Sequence, residues 1–226
     1  MMEKKFFLVL AIMACFVLNT SAQFSNSGGN SATVSDNSGW NTIYVEWNPS
    51  SFHAGGGYRY YNNGEGNGST GFSGFSLGFS RSISLSSAIP IFIEPAIALQ
   101  YSTKKEGYFN YYDEYRTSAT LNLISIKVPV NFIYKYDFSN TPVSLLPFAG
   151  ITLRGNVWGE INDDGDHDNL FDDDYGWKRF QIGWQAGIKA RFHNKIIVGG
   201  SFGTDFNDIV EKIKVHTGTI YVGYIF

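Results

Sequence analysis

The residues with the most evident chemistry form an acidic run at 162–174. Its oxygen donors follow positions 1, 3, 5, 7 and 9 of a calcium-binding loop, in which position 7 contributes a backbone carbonyl. Clustered carboxylates repel one another, and a hard divalent cation relieves that repulsion. The run therefore predicts a calcium site, and nothing in the sequence indicates another cofactor. The candidate ligands are Asp164, Asp166, Asp168, Leu170 and Asp172.

Two positions of this run depart from the calcium-loop pattern. Asn169 occupies position 6, where Gly is usual, although Asn tolerates the turn that is needed there. Tyr175 occupies position 12, where a Glu would bind the ion through two oxygens, so Asp173 or Asp174 would have to replace it. The alternative interpretation is a solvated acidic surface loop.

A second set of charges recurs at alternate positions of strand-like stretches. In the clearest stretch, Phe180, Trp184 and Ile188 fall on one face of a strand, while Gln185 and Lys189 fall on the other. Charged residues thus share a face with Gly, Ser, Asn and Gln, opposite a face of bulky apolar residues. The charges on the polar faces are Glu46, Glu94, Lys127, Lys135, Arg154, Lys189 and Arg191.

Eight such stretches follow one another along the chain. Short connections alternate with long ones, which is the pattern of outer-membrane barrels, with turns on one side of the membrane and loops on the other. With both termini on the short-turn side, the number of strands must be even. The strands are predicted at 40–48, 72–85, 89–101, 117–136, 143–158, 178–192, 196–206 and 214–226. The long connections are predicted at 53–71, 103–116, 159–177 and 207–213.

The direction in which the apolar face points separates a membrane barrel from a soluble one. A soluble eight-stranded barrel of lipocalin type keeps its apolar residues inside, whereas a membrane barrel turns them outward. So many charges cannot share a dry core, because burying an unpaired ion costs several kcal/mol. The sequence therefore predicts an all-β, eight-stranded antiparallel up-and-down transmembrane β-barrel, with paired charges in its lumen. Arg81 falls on an apolar face, and a bulge or a position near the membrane interface would accommodate it.

The first 22 residues have the composition of a secretory signal peptide. Two lysines precede an apolar core at 6–18, and small residues precede the expected cleavage site after Ala22. The core is short for a membrane span. A retained anchor helix and lipidation at Cys15 are the alternatives. The expected domains are the signal peptide (1–22), a flexible Ser-, Asn- and Gly-rich segment (23–39) and the barrel (40–226).

Composition narrows the possible functions. Cys15 is the only cysteine, so cleavage after Ala22 would leave a mature chain without thiol chemistry. A formal net charge of −3 gives no support for nucleic-acid binding. Eight strands enclose an interior that side chains can fill, so the charged lumen predicts a structural plug. A path for protons or small ions is the alternative.

Part of the chain resembles a known family. Residues 126–136 (IKVPVNFIYKY), followed by PFAG at 147–150, resemble the PorT-like outer-membrane β-barrel proteins of Bacteroidetes-type bacteria. The hairpin that begins at Gly187 and the closing strand that includes 216–220 are also similar to that family. The resemblance covers about 72–226 and implies an eight-stranded outer-membrane barrel. Type IX protein secretion belongs to a minority of the members.

These features predict a non-enzymatic, integral outer-membrane protein that acts in adhesion or docks an envelope protein. Its expected surroundings are outer-membrane lipids and lipopolysaccharide. Divalent ions could bridge the acidic run to the lipopolysaccharide. The barrel is expected to be monomeric. Tyr- and Asn-rich loops at 55–64 and 108–115 have the composition of binding surfaces, or of a simple aromatic rim. A PorT-like secretion component is one alternative.

A small lipid-modifying enzyme is the other alternative. A lipid-A deacylase of this size uses a His-x-Ser pair on the lipid-facing side of a strand. His216 lies on a suitable strand, but Gly218 stands where that pair requires a serine. The sequence therefore predicts no catalytic residues.

Overall fold

The computed structural model describes residues 39–54, 71–109, 116–163, 166–173, 176–210 and 213–226. Within these ranges the chain forms eleven β-strands and no helix. No membrane-spanning helix is therefore found among the residues described. The predicted signal peptide, the loop at 55–64 and most of the loop at 108–115 lie outside these ranges, so the predictions made for them stay predictions.

Eight of the strands close into one antiparallel barrel. Each pairs with its neighbour along the chain, and the last of them pairs with the first, with Val45 opposite Val222 at the seam. This confirms the predicted eight-stranded barrel. The strands are β1 (Trp40–Trp47), β2 (Ser50–Ala54), β3 (Ser73–Ser84), β4 (Ile91–Phe109), β5 (Arg116–Tyr134), β6 (Tyr136–Asp137), β7 (Val143–Asp163), β8 (Asp166–Asn169), β9 (Phe180–Phe192), β10 (Ile196–Asp205) and β11 (Ile213–Ile225).

Three short strands extend this barrel without adding to its circumference. β2 continues the direction of β1 beyond Asn48 and Pro49, and it pairs with the first residues of β11, from Ile213 to Thr217. β6 prolongs β5 on the short-turn side, where it pairs with the beginning of β7. β8 folds back on the far end of β7 as a hairpin.

The alternation of the strands turns the bulky apolar residues outward and the charges inward. Leu77 and Phe132 are 59% and 58% exposed, while Glu94 and Lys127 are 1% and 6% exposed. A closed barrel satisfies the backbone hydrogen bonds between its strands, and its apolar outer face is the surface that lipid covers. The exterior is therefore that of a membrane barrel rather than of a lipocalin.

Two strands are longer than predicted. β4 was expected to end near residue 101, but it pairs in register with β5 as far as Phe109. β7 runs to Asp163, and the following hairpin strand β8 lies inside what was predicted as a long loop. The sequence patterns used for prediction depend on apolar alternation, and these extensions are mostly polar, because they continue past the apolar belt.

One irregularity interrupts the ladder between β5 and β7. Ile124 pairs with Trp158 and Ser125 pairs with Asn156, so Val157 is an extra residue on β7. This β-bulge places Val157 and Trp158 both outward, at 37% and 42% exposure.

Arg81 lies on the outward side of β3, as predicted. The bulge suggested for it is absent, because the register of β3 with β1 and with β4 is unbroken on either side of Arg81. Arg81 lies near the short-turn end of β3, so a position near the membrane interface is the explanation that fits an outward arginine.

One glycine makes room for the packing inside the barrel. The ring of Tyr44 crosses the inner surface of β3 at Gly78, where an added Cβ would lie 2.4 Å from the Tyr44 Cζ atom. A larger residue at position 78 would displace that ring from the lumen.

Candidate functional site

Three buried ion pairs cross the middle of the lumen. Lys127 Nζ lies 2.6 Å from Glu46 Oε2, and Lys189 Nζ lies 2.7 Å from Glu94 Oε1. Arg154 Nη2 contacts both carboxylate oxygens of Asp205 at 2.7 Å. Lys127–Glu46 and Lys189–Glu94 each join strands three places apart around the eight-stranded barrel, whereas Arg154–Asp205 joins strands two places apart, so each pair links strands that are not hydrogen-bonded neighbours.

Glu94 is the most heavily bonded of these carboxylates. Besides Lys189, it accepts hydrogen bonds from Ser82 Oγ at 3.1 Å and Asn131 Nδ2 at 3.3 Å. The side-chain oxygen of Asn131, Oδ1, in turn accepts a hydrogen bond from Gln185 Nε2 at 2.8 Å. Four strands therefore share one polar network, in which the carboxylate charge is neutralised and its oxygens are occupied.

The short-turn end of the lumen carries the other two predicted charges. Lys135 Nζ lies 2.9 Å from Asp137 Oδ2, and the Arg191 guanidinium lies over the Trp40 ring at 4.7 Å. Partial burial by itself raises the pKa of the Asp137 carboxyl, but hydrogen bonds from Ser144 and Lys135 outweigh it and hold this pKa below its ordinary value. Asp137 therefore stays ionised as the counter-charge of this cluster.

The structure thus brings all seven predicted charges to the lumen face, and it supplies two partners that the sequence analysis did not name. Asp205 lies on the inward face of β10, with Ile197 and Gly203. Strand alternation could have identified it. Asp137 lies in a predicted turn, where alternation gives no signal.

Two clusters of apolar side chains fill the lumen, one on each side of the Lys127–Glu46 pair. The cluster toward the short turns, here called the inner plug, contains Trp40, Tyr44, Phe92, Ala96, Ala98, Ile133, Leu146, Phe148, Ile197, Tyr221 and Ile225. The cluster toward the long loops, here called the outer plug, contains Phe72, Leu121, Leu123 and Leu170, with Phe52, Ile161, Phe171 and Trp177 packed against it.

The space left among these groups is small. One cavity of about 20 Å³ lies beside Glu94 and Tyr221, and another of about 30 Å³ lies beside Arg154 and Asp205. Volumes of this size hold one or two water molecules and no larger solute. The polar lumen is therefore a packed interior rather than a binding pocket.

The described part of the acidic run contains the second strand of a hairpin and the turn that follows it. Asp166 and Asp168 lie on β8, where Asn169 is also paired as a strand residue. Leu170 is fully buried in the outer plug, and Asp172 is exposed and accepts a hydrogen bond from Asn169 Nδ2. No group of three or more metal-ligating side chains is found in the part of the chain that the structure describes. Asp164 lies outside that part, and the calcium site stays a prediction.

His216 faces outward on β11 near the long-loop end. Its ring stacks on that of Phe202 with centroids 6.0 Å apart. Gly218 lies two residues on and supplies no nucleophile, but the β2–β11 register puts Ser51 directly opposite His216. Spacing within one strand could not have revealed this neighbour.

The fold and its two faces define a class of protein, the small transmembrane-type β-barrel with a filled lumen. No family model matches the chain, so the PorT-like resemblance stays a prediction. No curated protein matches it in sequence.

Several solved structures are similar in fold at low sequence identity. Ail, the attachment invasion locus protein of Yersinia pestis, is 15% identical, with 84% of this chain and 99% of that chain covered and a TM-score of 0.44. The outer membrane enzyme PagL is 13% identical, with 80% and 97% covered and a TM-score of 0.48. A major outer membrane protein from Thermus thermophilus is 12% identical, with 82% and 99% covered and a TM-score of 0.44.

Proposed function

We propose that this protein is an integral outer-membrane barrel that serves as a non-enzymatic scaffold, with its long-loop side turned outward for adhesion or for docking an envelope partner. The exterior supports the membrane location. Half-exposed apolar side chains such as Ile43, Leu99, Ile188 and Ile220 encircle the barrel. A belt of this kind far exceeds the apolar patches of soluble monomers, and lipid is the environment that covers it.

The observation that carries the scaffold proposal is the closed lumen. The Lys127–Glu46 pair, with side chains less than about a tenth exposed, lies between the inner plug and the outer plug. The Lys189–Glu94 pair lies within the inner plug, where Lys189 contacts the rings of Phe148 and Tyr221. A channel needs a continuous wet path, and eight strands leave an interior that side chains can fill. The barrel wall and the loops are then the parts available for function.

The longest strands support a role for the long-loop end of the barrel. β4 and β5 have 19 residues each, and β7 has 21. A tilted membrane strand needs only about 9–11 residues. The excess lies on the long-loop side and raises a small sheet, edged by β8, above the level of the membrane. Adhesion or docking at this sheet is the role we propose; type IX secretion stays a prediction.

Reconstituted protein is expected to conduct no ions. Purified barrel in a planar lipid bilayer should give no stepwise conductance above the lipid baseline, because both plugs interrupt the lumen. A general porin, reconstituted at the same protein-to-lipid ratio, is the positive control. Steady conductance steps that scale with the amount of barrel would contradict the closed lumen and favour the small-ion path instead.

A further inference from the structure

We propose that the outward face of the sheet raised above the membrane binds the sugar head group of an outer-leaflet glycolipid, through hydroxyl and amide side chains of β4, β5 and β7. This inference rests on the proposed outer-membrane location and deepens it by naming the chemistry of one partner. Three features of the described residues support it: the order of the side chains above the aromatic girdle, their polar chemistry, and the height that they reach.

The outward face of this sheet consists of three rows of side chains that cross neighbouring strands. In the lowest row, Tyr101 lies opposite Ile124, which lies opposite Trp158. Tyr101 and Trp158 are 47% and 42% exposed, as expected for rings of the aromatic girdle. Each row lies two residues from the next along every strand, so all three rows share one face of the sheet. The middle row contains Thr103, Asn122 and Glu160, and the upper row contains Lys105, Thr120, Asn162 and, on β8, His167.

The residues between these rows show which way the rows face. Leu121, Leu123 and Ile161 alternate with them along β5 and β7 and pack in the outer plug. On β4, the intervening Lys104 is buried, with its Nζ 4.7 Å from the centroid of the Phe52 ring, which packs against the same plug. Successive side chains of a strand point to opposite faces. The polar rows therefore lie on the outer side of the wall, directly above the lipid-facing belt.

Hydrogen bonds between strands order these side chains before any ligand arrives. Asn122 Oδ1 accepts hydrogen bonds from Tyr101 Oη at 2.8 Å and from Thr103 Oγ1 at 3.0 Å. Glu160 Oε1 lies 2.5 Å from His167 Nδ1 on the neighbouring strand. A ligand that binds groups already held in place loses less affinity to the ordering of side chains.

The chemistry of the polar rows suits sugar hydroxyls. Lys105 is the one lysine or arginine among the described side chains of the two rows, and the Glu160 carboxylate lies on the same face. The rows therefore present no cluster of cations that would favour a phosphate. Thr120 and Asn162, opposite each other, add a hydroxyl and an amide. Groups of these kinds both donate and accept hydrogen bonds, as do the hydroxyls of a sugar.

The height of the rows separates a sugar head group from that of a phospholipid. Residues two apart in a strand are about 7 Å apart along it, and a strand tilt of about 40° leaves about 5 Å of this as height. The middle row thus lies about 5 Å above the girdle row, and the upper row about 10 Å above it. The polar layer of an ordinary leaflet is only about 5–8 Å thick. A lipid that contacts both rows must therefore have a taller polar head group, and an oligosaccharide has one.

The test is binding of glycolipid to the folded barrel in detergent micelles containing a metal chelator, measured by native mass spectrometry. The probes are lipopolysaccharide truncated after its inner-core sugars, lipid A without core sugars, and phosphatidylethanolamine. Wild-type protein is expected to bind the core-bearing lipid roughly tenfold more tightly than lipid A, the effect of a few neutral hydrogen bonds. Thr120→Val combined with Asn162→Leu removes the hydroxyl and the amide at nearly constant size and should abolish most of this preference.

The matched control is Ser51→Ala, which removes an exposed hydroxyl at the long-loop end of β2. β2 pairs with β11, which lies on the opposite side of the barrel from β5. This variant should keep the wild-type preference for core sugars.

Several results would overturn the proposal. Equal wild-type affinity for the core-bearing lipid and for either of the other probes would mean that the sugars are not recognised. Unaltered preference in the double variant, or equal loss in Ser51→Ala, would place recognition elsewhere. Wild-type binding that appears only when the chelator is omitted would assign it to divalent ions at the acidic run.

A gel run with and without boiling separates failure of this inference from failure of the proposed location. A wild-type chain that shows the mobility shift of a folded barrel but no preference for core sugars rejects the glycolipid site alone. A wild-type chain with no shift rejects the membrane barrel itself. The double variant must show the same shift as wild type, so that lost binding reports on the site rather than on folding.

Discussion

Arginine in place of Ile188 is expected to destabilise the barrel by about 2–4 kcal/mol, the cost of a cationic side chain near the bilayer midplane. Ile188 faces outward on β9 and is half exposed. In the membrane that exposed half lies against lipid chains, which cannot hydrate a guanidinium. Trp184→Arg should behave in the same way. The measurement is urea-dependent folding into lipid vesicles, followed by tryptophan fluorescence for Ile188→Arg and by gel mobility for both variants.

The control for this prediction is Gln185→Arg, one residue from Trp184 on the same strand. Gln185 faces the lumen, where it donates to Asn131 and borders both small cavities. An arginine there meets polar groups and carboxylates, so the loss of stability should be clearly smaller. Equal tolerance of all three variants would show that the assignment of inside and outside is wrong.

Removing the Glu94 carboxylate is expected to cost about 3–5 kcal/mol, the penalty for leaving one partner of a buried ion pair without its counter-charge. Glu94→Leu strips Lys189 of its carboxylate in a site where both side chains are at most 5% exposed. Ser82 and Asn131 lose their acceptor as well. The aromatic rings of Tyr221 and Phe148, 4.4 and 4.9 Å from Lys189 Nζ, compensate only in part.

A double-mutant cycle separates this ion-pair effect from loss of packing. Glu94→Leu combined with Lys189→Leu removes both charges, so the double variant should be more stable than Glu94→Leu alone. Lys105→Leu, at an exposed position on β4, is the control for loss of a lysine and should change stability by less than about 0.5 kcal/mol. Additive effects of the two lumen substitutions would mean that the pair is not coupled in the membrane.

Strand alternation was sufficient to predict the wall of the barrel. The outward positions of Ile43, Leu77 and Phe132 and the inward positions of Glu46 and Lys127 follow from a side-chain period of two once an apolar face is visible. The closing strand was found for the same reason, since Ile220, Val222 and Tyr224 alternate with smaller or inward residues.

Features that depend on contacts between distant segments could not be predicted in this way. The partner of each lumen charge depends on how far the strands are offset around the barrel, so Lys189 could not be matched to Glu94, 95 residues earlier in the chain. The bulge at Val157 gives no composition signal, yet it turns both Val157 and Trp158 outward. Leu170 was assigned to a calcium loop through its backbone carbonyl, and its spacing from aspartates could not show that its side chain packs in the outer plug.

The most direct test of the central claim is the cell fraction and gel mobility of the mature protein, compared with and without boiling. The account predicts an outer-membrane band that migrates faster unheated than boiled, because a closed barrel in lipid stays folded in mild detergent until heat opens it. A soluble periplasmic band with no heat-dependent shift would contradict the membrane barrel. It would also mean that the exposed belt around Leu99 and Ile188 must be covered by something other than lipid.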